Sequence, residues 1–183
     1  MLILASGSPR RKELLKKLTS DFTVVLPDID ERILDDALGP QDLPAEESRL
    51  KAYAIHALYP GDDVIACDTI VILNGEILGK PQTEDKAKAM LKRESGHRQT
   101  VLSGYTYIGQ GKEITRSVST AVYFNSLTEA EISSYITKFH PLDKAGGYGI
   151  QDEAGLINHI EGSYDNVMGF PTEDIAWRVF AKR

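Results

Sequence analysis

The chain has one cysteine, Cys67, in 183 residues. An internal disulfide is therefore excluded, and no second thiol exists for a cysteine-rich zinc site, which fits a reducing compartment and predicts a cytoplasmic protein. Its four histidines, His56, His97, His140 and His159, show neither HxH nor HxxxH spacing, so the usual zinc-binding pairs are missing. No run of about 18 apolar residues occurs, and Leu2 to Ala5 is too short for the apolar core of a secretory leader; neither membrane insertion nor export is expected. Positive charge is scarce as well. With 21 Lys and Arg against 27 Asp and Glu, the formal charge is −6, which argues against stable nucleic-acid binding or attraction to an anionic membrane. A local basic pocket in so acidic a chain would suit a small polyanion.

What is present is an ordinary folding composition, 42% apolar and 26% charged, at a length that suits one domain, with two lobes around a cleft. Leu2 to Ala5 reads as a buried strand, and Ser8-Pro9 as the N-cap and first residue of a helix that turns Leu14, Leu15 and Leu18 inward. A second strand spans Phe22 to Leu26, followed by an acidic loop over 28–42. From Leu43 to Leu58, apolar residues at 50, 53, 54, 57 and 58 predict an amphipathic helix with Lys51 at the border of its buried stripe. Val64 to Leu73 is an apolar strand interrupted by Asp68 and Thr69, and Asn74-Gly75 is a type I′ hairpin turn.

Thr83 caps a helix to about Arg93, and two β-rich runs, 100–108 and 114–124, flank a turn at Gln110-Gly111-Lys112. Leu127-Thr128-x-x-Glu131-Ile132 carries a capping box and staple for a helix that ends before Pro141. The glycine-rich stretch 143–151 predicts a loop at which backbone approaches a ligand. Ile157 to Ile160 is a further strand, Glu161 to Asn166 a turn, and Ile175, Ala176, Val179 and Phe180 mark a terminal helix. This order gives an α/β fold with a mixed sheet.

Three features carry chemistry. Ser6, Ser8, Arg10 and Arg11 crowd the positive end of the first helix, where guanidinium groups and backbone N–H groups favour a phosphate. Asp68 places a carboxylate in an apolar strand, which calls for a partner, a cation or a water to activate; Glu31 is a candidate second oxygen ligand. Lys51 and Lys80 each read alone as surface lysines, but Gly79-Lys80-Pro81 follows directly on the hairpin that begins at Asp68. GxSxG, GxGxxG and a complete Walker A motif are all absent.

With these residues assembled, the sequence resembles the Maf family of nucleoside triphosphate pyrophosphatases along nearly its whole length. The matching segments are Leu4-Ala-Ser-Gly-Ser-Pro-Arg-Arg-x-Glu-Leu-Leu15, Asp30-Glu31, Lys51-Ala52, Asp68-Thr69, Gly79-Lys80-Pro81, Asp143-Lys144-Ala145-Gly146-x-Tyr148-Gly149-Ile150-Gln151, Ile160 to Tyr164 and Asn166-Val167-x-Gly169-x-Pro171. The resemblance implies an elongated mixed α/β fold with flanking helices and a central cleft, like that of inosine triphosphate pyrophosphatases, often as a homodimer. It implies cleavage of a nucleoside triphosphate between the α and β phosphates with Mg²⁺ or Mn²⁺. By the family pattern Ser8, Arg10, Arg11, Lys51 and Lys80 would hold phosphates, Glu31 and Asp68 would serve the metal, and Asp68 would activate water; Ser6 and Lys144 join the substrate contacts.

Arg11, Thr69 and Gln151 are similar to the set that marks the branch cleaving dTTP and UTP. A glutamine amide offers a donor and an acceptor to the O4 and N3–H edge that thymine and uracil share. One segment departs from the pattern: His97 and Gln99 stand where the family shows arginine and histidine, and no site role is assigned to them. Two other readings are a nucleotidyltransferase, for which the longer glycine-rich turn is missing, and a nucleotide-binding regulator of septum formation, in which Glu31, Asp68 and Lys80 need not be intact.

Overall fold

The computed structural model describes residues 1–30, 34 and 38–181. The chain alternates strands and helices: β1 (Leu2–Ala5), α1 (Pro9–Lys16), β2 (Phe22–Val25), α2 (Leu43–Leu58), β3 (Asp63–Leu73), β4 (Glu76–Leu78), α3 (Glu84–Glu94), β5 (Arg98–Gly109), β6 (Lys112–Phe124), α4 (Glu129–Phe139), β7 (Ile157–Glu161), α5 (Tyr164–Met168) and α6 (Thr172–Ile175), which runs into a π turn, Ala176–Phe180. Three 3-10 turns, Pro141–Asp143, Ala145–Gly147 and Ile150–Asp152, join α4 to β7. The open sheet has the order β2-β1-β3-β5-β6-β7, with β4 also paired to β3. It is mixed: β1 is parallel to β2 and β3, while β4 and β7 are antiparallel to their neighbours. Among the described residues, no helix is long and apolar enough to cross a membrane.

The chain divides into two compact units. The first comprises Met1–Thr69, Leu102–Val118 and Asp165–Arg183. Its strands are covered on both faces, as parallel strands joined by crossover helices must be. Leu4, Ile65, Cys67, Tyr105 and Tyr107 pack on one side with Leu14 and Leu15 of α1, Phe170 and Ile175. Ile3, Ala5, Val64, Ala66 and Ile108 pack on the other with Ala52 and Ile55 of α2. Side chains alternate along a strand. The Val64–Ala66 row therefore continues to Asp68 on the α2 side, and the Ile65–Cys67 row to Thr69 on the α1 side.

Helix α2 corrects the expected stripe. Its buried residues are Leu43, Pro44, Glu47, Ser48, Lys51, Ala52 and Ile55, whereas Leu50, Tyr53 and Leu58 are exposed. Lys51 thus lies within the buried face instead of bordering it. The face is partly polar because the strands beneath it offer polar partners: the Ser48 hydroxyl meets the Thr106 hydroxyl at 2.8 Å, and Lys51 meets Asp68. The helix start also sits tightly on β5, since a Cβ added to Gly104 would lie 2.2 Å from the backbone of Pro44 and Ala45.

The second unit comprises Ile70–Val101 and Ser119–Tyr164. Asn74 and Gly75 both take positive φ, 51° and 81°, and close the β3–β4 hairpin as expected for a type I′ turn. The Thr83 hydroxyl caps α3, and the Thr128–Glu131 capping box opens α4. His140 ends α4 in a left-handed conformation just before Pro141. Two segments are more ordered than the sequence suggested: the glycine stretch forms 3-10 turns, and the predicted turn at 161–166 already enters α5 at Tyr164.

Candidate active site

In the first unit, Ser8 caps α1 by accepting the Arg11 N–H at 3.4 Å, and its own N–H donates to the Ser6 hydroxyl at 3.1 Å. The Lys12 N–H donates to the Ser8 carbonyl, and Pro9 has no N–H to give. Both serines are therefore engaged in shaping the turn. What the turn offers an anion is chiefly the half-buried Arg10 side chain, which has no ion-pair partner among the described residues.

Asp68 sits deeper. Its Oδ1 accepts from Lys51 Nζ at 2.8 Å, with only 10% and 14% of the Lys51 and Asp68 side chains exposed. Glu47, one helical turn before Lys51, is also buried and hydrogen-bonds to Asp68. Burial raises the proton affinity of the Asp68 carboxyl. The Glu47 hydrogen bond and the charges of Lys51 and Arg11 outweigh it and hold the group below the ordinary aspartate range. Asp68 is thus an ionised carboxylate at neutral pH.

On the opposite side of β3, Arg11 is committed to the protein itself. Its Nε donates to the Gly169 carbonyl at 2.9 Å and its Nη2 to Thr69 Oγ1 at 3.2 Å. Thr69 also meets the Ser103 hydroxyl at 2.8 Å, and the Gly169 carbonyl further accepts from the Cys67 thiol at 3.5 Å. Burial pushes that thiol up to about 11, so Cys67 stays protonated. Arg11 and Thr69 therefore act as one hydrogen-bonded pair.

In the second unit, Lys80 is exposed and has no ion-pair partner among the described residues. The carbonyl of the preceding Gly79 accepts the Gly146 N–H at 3.2 Å, which ties the lysine's backbone to the glycine turn. Lys144 pairs with Asp152 at 3.3 Å, and Tyr135 donates to the same carboxylate at 2.6 Å while accepting the Gly149 N–H at 2.9 Å. Gln151 is half-buried; its Oε1 is enclosed and has no hydrogen-bond partner among the described residues. That acceptor is available to a ligand donor.

The structure thus brings Ser6, Ser8, Arg10 and Arg11 into one turn, joins Lys51 to Asp68 and Arg11 to Thr69, and links Lys80, Lys144 and Gln151 through the glycine segment of the second unit. Glu31 lies outside the described residues. Glu47, Ser103 and Asp152 were not singled out from sequence, and Gly169 was named there only as part of a matching segment. Glu47 carried a readable signal, since a carboxylate four residues before Lys51 shares its helix face; the others are partners that only the fold supplies.

Among the described residues, no three His, Cys, Asp or Glu side chains converge as a metal cage. Asp68 and Glu47 are nevertheless in hydrogen-bonding contact, so that Glu47, on giving up the shared proton, can join Asp68 as an oxygen ligand. That donor set fits a hard divalent ion of the Mg²⁺ type, which takes one or two protein carboxylates and completes its shell with water and substrate phosphate.

A family model described as Maf-like protein matches residues 1–179. The chain belongs to the Maf family. Among its curated relatives, a dTTP/UTP pyrophosphatase of Thermococcus gammatolerans is 44% identical over 180 residues, covering 98% of this chain and 95% of the relative. One of Pyrococcus abyssi is 43% identical over 172 residues, covering 93% and 90%. One of Thermotoga maritima is 39% identical over 193 residues, covering 100% and 93%.

Proposed function

We propose that this Maf-family chain hydrolyses dTTP and UTP to the nucleoside monophosphate and diphosphate. The observation that carries the reading is the buried Lys51–Asp68 pair: an ionised carboxylate held in an apolar strand is poised to orient and deprotonate water. The names of its relatives supply the substrate class, and the enclosed, unpartnered acceptor on Gln151 suits the N3–H of uracil or thymine.

In this mechanism Asp68 takes a proton from water as its oxygen attacks the α-phosphorus. The bond from that phosphorus to the α,β-bridging oxygen breaks, and diphosphate leaves. Asp68 with Glu31 or Glu47 would hold a divalent cation, Mg²⁺ or Mn²⁺, which would supply charge neutralisation on the phosphates. Arg10 and Lys80, which have no ion-pair partner among the described residues, bind phosphate oxygens. Lys51 holds Asp68 in its ionised form and in position, and Arg11 with Thr69 shapes the pocket for a pyrimidine. The protein acts in the cytoplasm as a homodimer.

The decisive assay is diphosphate release from UTP, dTTP, modified pyrimidine nucleotides and purine triphosphates with Mg²⁺ or Mn²⁺. Turnover of UTP and dTTP well above that of GTP and ATP is expected. A clear preference for purines would overturn the pyrimidine assignment.

A further inference from the structure

The second unit holds a group of buried polar atoms that no step of the reaction uses. Glu94, the last residue of α3, is fully buried, and neither of its carboxyl oxygens has a hydrogen-bond partner among the described residues. The same is true of both amide atoms of Gln99 on β5 and of the Tyr148 hydroxyl, each in a residue at least nine-tenths buried. Five such atoms are costly. Each buried polar atom left without a partner forfeits its hydration, and apolar side chains of similar volume would pack the space without that penalty.

Glu94 and Tyr148 share one neighbour, and Gln99 faces Glu94. A Cβ added to Gly146 would lie 3.0 Å from Glu94 Oε1 and 3.1 Å from the Tyr148 ring, so carboxyl and ring flank the same glycine. Gly146 is left-handed, with φ of 75°, and its N–H reaches the Gly79 carbonyl at 3.2 Å. The Gly147 N–H donates to the Lys144 carbonyl at 2.9 Å. Lys80, Lys144 and Gln151 are therefore all attached by a few backbone bonds to the turn on which Glu94 rests.

Burial drives the proton affinity of Glu94 well above the ordinary glutamate value, with the facing Gln99 amide and the Arg93 charge pulling it only partly back. The other titratable neighbours are Tyr135 and Tyr148, whose hydroxyls are themselves held protonated, mainly by burial. Gln99, at the position where the family pattern carries histidine, supplies no positive charge to draw the proton off. A neutral carboxylic acid has both a donor and an acceptor, which suits an amide and a phenol as neighbours.

We propose that Glu94 is a positioning residue for the nucleotide: packed with Tyr148 against Gly146 and facing Gln99, it holds the Gly146–Gln151 segment in the shape that presents Lys144 and Gln151. The inference rests on the reading that these two side chains contact the substrate. Glu94 touches neither phosphate nor base, and its effect falls on KM, with kcat set by Asp68.

The test compares Glu94→Ala, Glu94→Gln and Tyr148→Phe in the full chain by UTP kinetics, thermal melting and hydrogen exchange of the amides in 145–151. Glu94→Ala is expected to raise the UTP KM about fivefold to tenfold with kcat within about twofold, and to speed exchange at 145–151 but not in α4. The isosteric, permanently neutral Glu94→Gln restores both, and Tyr148→Phe, which removes one oxygen, raises KM in the same direction should Glu94→Ala fail to fold. Wild-type KM and exchange in Glu94→Ala or Tyr148→Phe, or equal damage in Glu94→Gln and Glu94→Ala, overturns the proposal. Gln151→Ala and Lys144→Ala separate the two readings. If those variants keep the wild-type KM, the substrate contacts are wrong, and the exchange data alone decide whether Glu94 orders the segment.

Discussion

Lys51 on α2 and Asp68 on β3 meet at 2.8 Å with both side chains largely withdrawn from water. The pair exists because α2 turns a partly polar face to the strand, and because Asp68 occupies the row that already faces α2 through Val64 and Ala66. A buried pair of this kind does little for net stability, but loss of one partner leaves the other charge stranded.

Lys51→Met is therefore expected to destabilise the chain by about 3 kcal/mol, and the double variant Lys51→Met/Asp68→Asn to recover much of that loss. Urea unfolding of the two single variants and the double variant measures the coupling directly. Additive losses would mean that the pair is not an energetic unit.

Arg11 and Thr69 should behave as a second unit. Arg11→Lys loses the two-armed contact to Gly169 and Thr69, while Thr69→Val removes the acceptor. Each is expected to raise the UTP KM, with a coupling of about 1 kcal/mol in kcat/KM when combined. Ser103→Ala, which removes only the outer partner of Thr69, should give a weaker effect of the same sign.

Glu94 makes stability depend on pH. Its proton is held more tightly in the folded chain than in the unfolded one, so its contribution is complete below the ordinary glutamate value of 4.5 and is lost as pH rises toward the folded value. Glu94→Gln is free of this loss. The melting temperature of the variant minus that of the wild type should therefore grow from about pH 5 upward. A constant difference would show that Glu94 titrates normally.

Gly104→Ala should be among the most damaging small substitutions. Its Cβ would collide with backbone, not with a flexible side chain, at the start of α2. A loss of about 3 kcal/mol in urea unfolding is expected. A neutral result would mean that α2 can shift, and with it Lys51.

The elements built on local chemistry were legible in the sequence. The Ser8-Pro9 cap, the Asn74-Gly75 hairpin, the Thr128–Glu131 capping box and the break at Pro141 all stand in the fold, because each depends on a few adjacent residues. The face of α2 was not legible. Its apolar residues at 50, 53 and 58 traced a helical stripe, yet the buried stripe runs through Glu47, Ser48 and Lys51, whose partners lie on strands 17 or more residues away. Hydrophobic periodicity ranks a buried lysine as surface when its counter-charge is unknown. Arg11 was legible only in part: its position at a helix N-terminus suggested a phosphate contact, while the partners of its Nε and Nη2, Gly169 and Thr69, come from distant segments that only the fold brings near. Glu94 was hidden because a single glutamate at a helix end carries no pattern.

The most direct measurement is the rate of diphosphate release from UTP and dTTP by the wild-type chain and by Asp68→Asn, with nucleotide binding followed in parallel. The isosteric variant should bind both nucleotides within about threefold of wild type while turnover falls by about 10³-fold or more. Near-normal diphosphate release by Asp68→Asn, or a wild-type chain that leaves both pyrimidine nucleotides intact, would contradict the assignment.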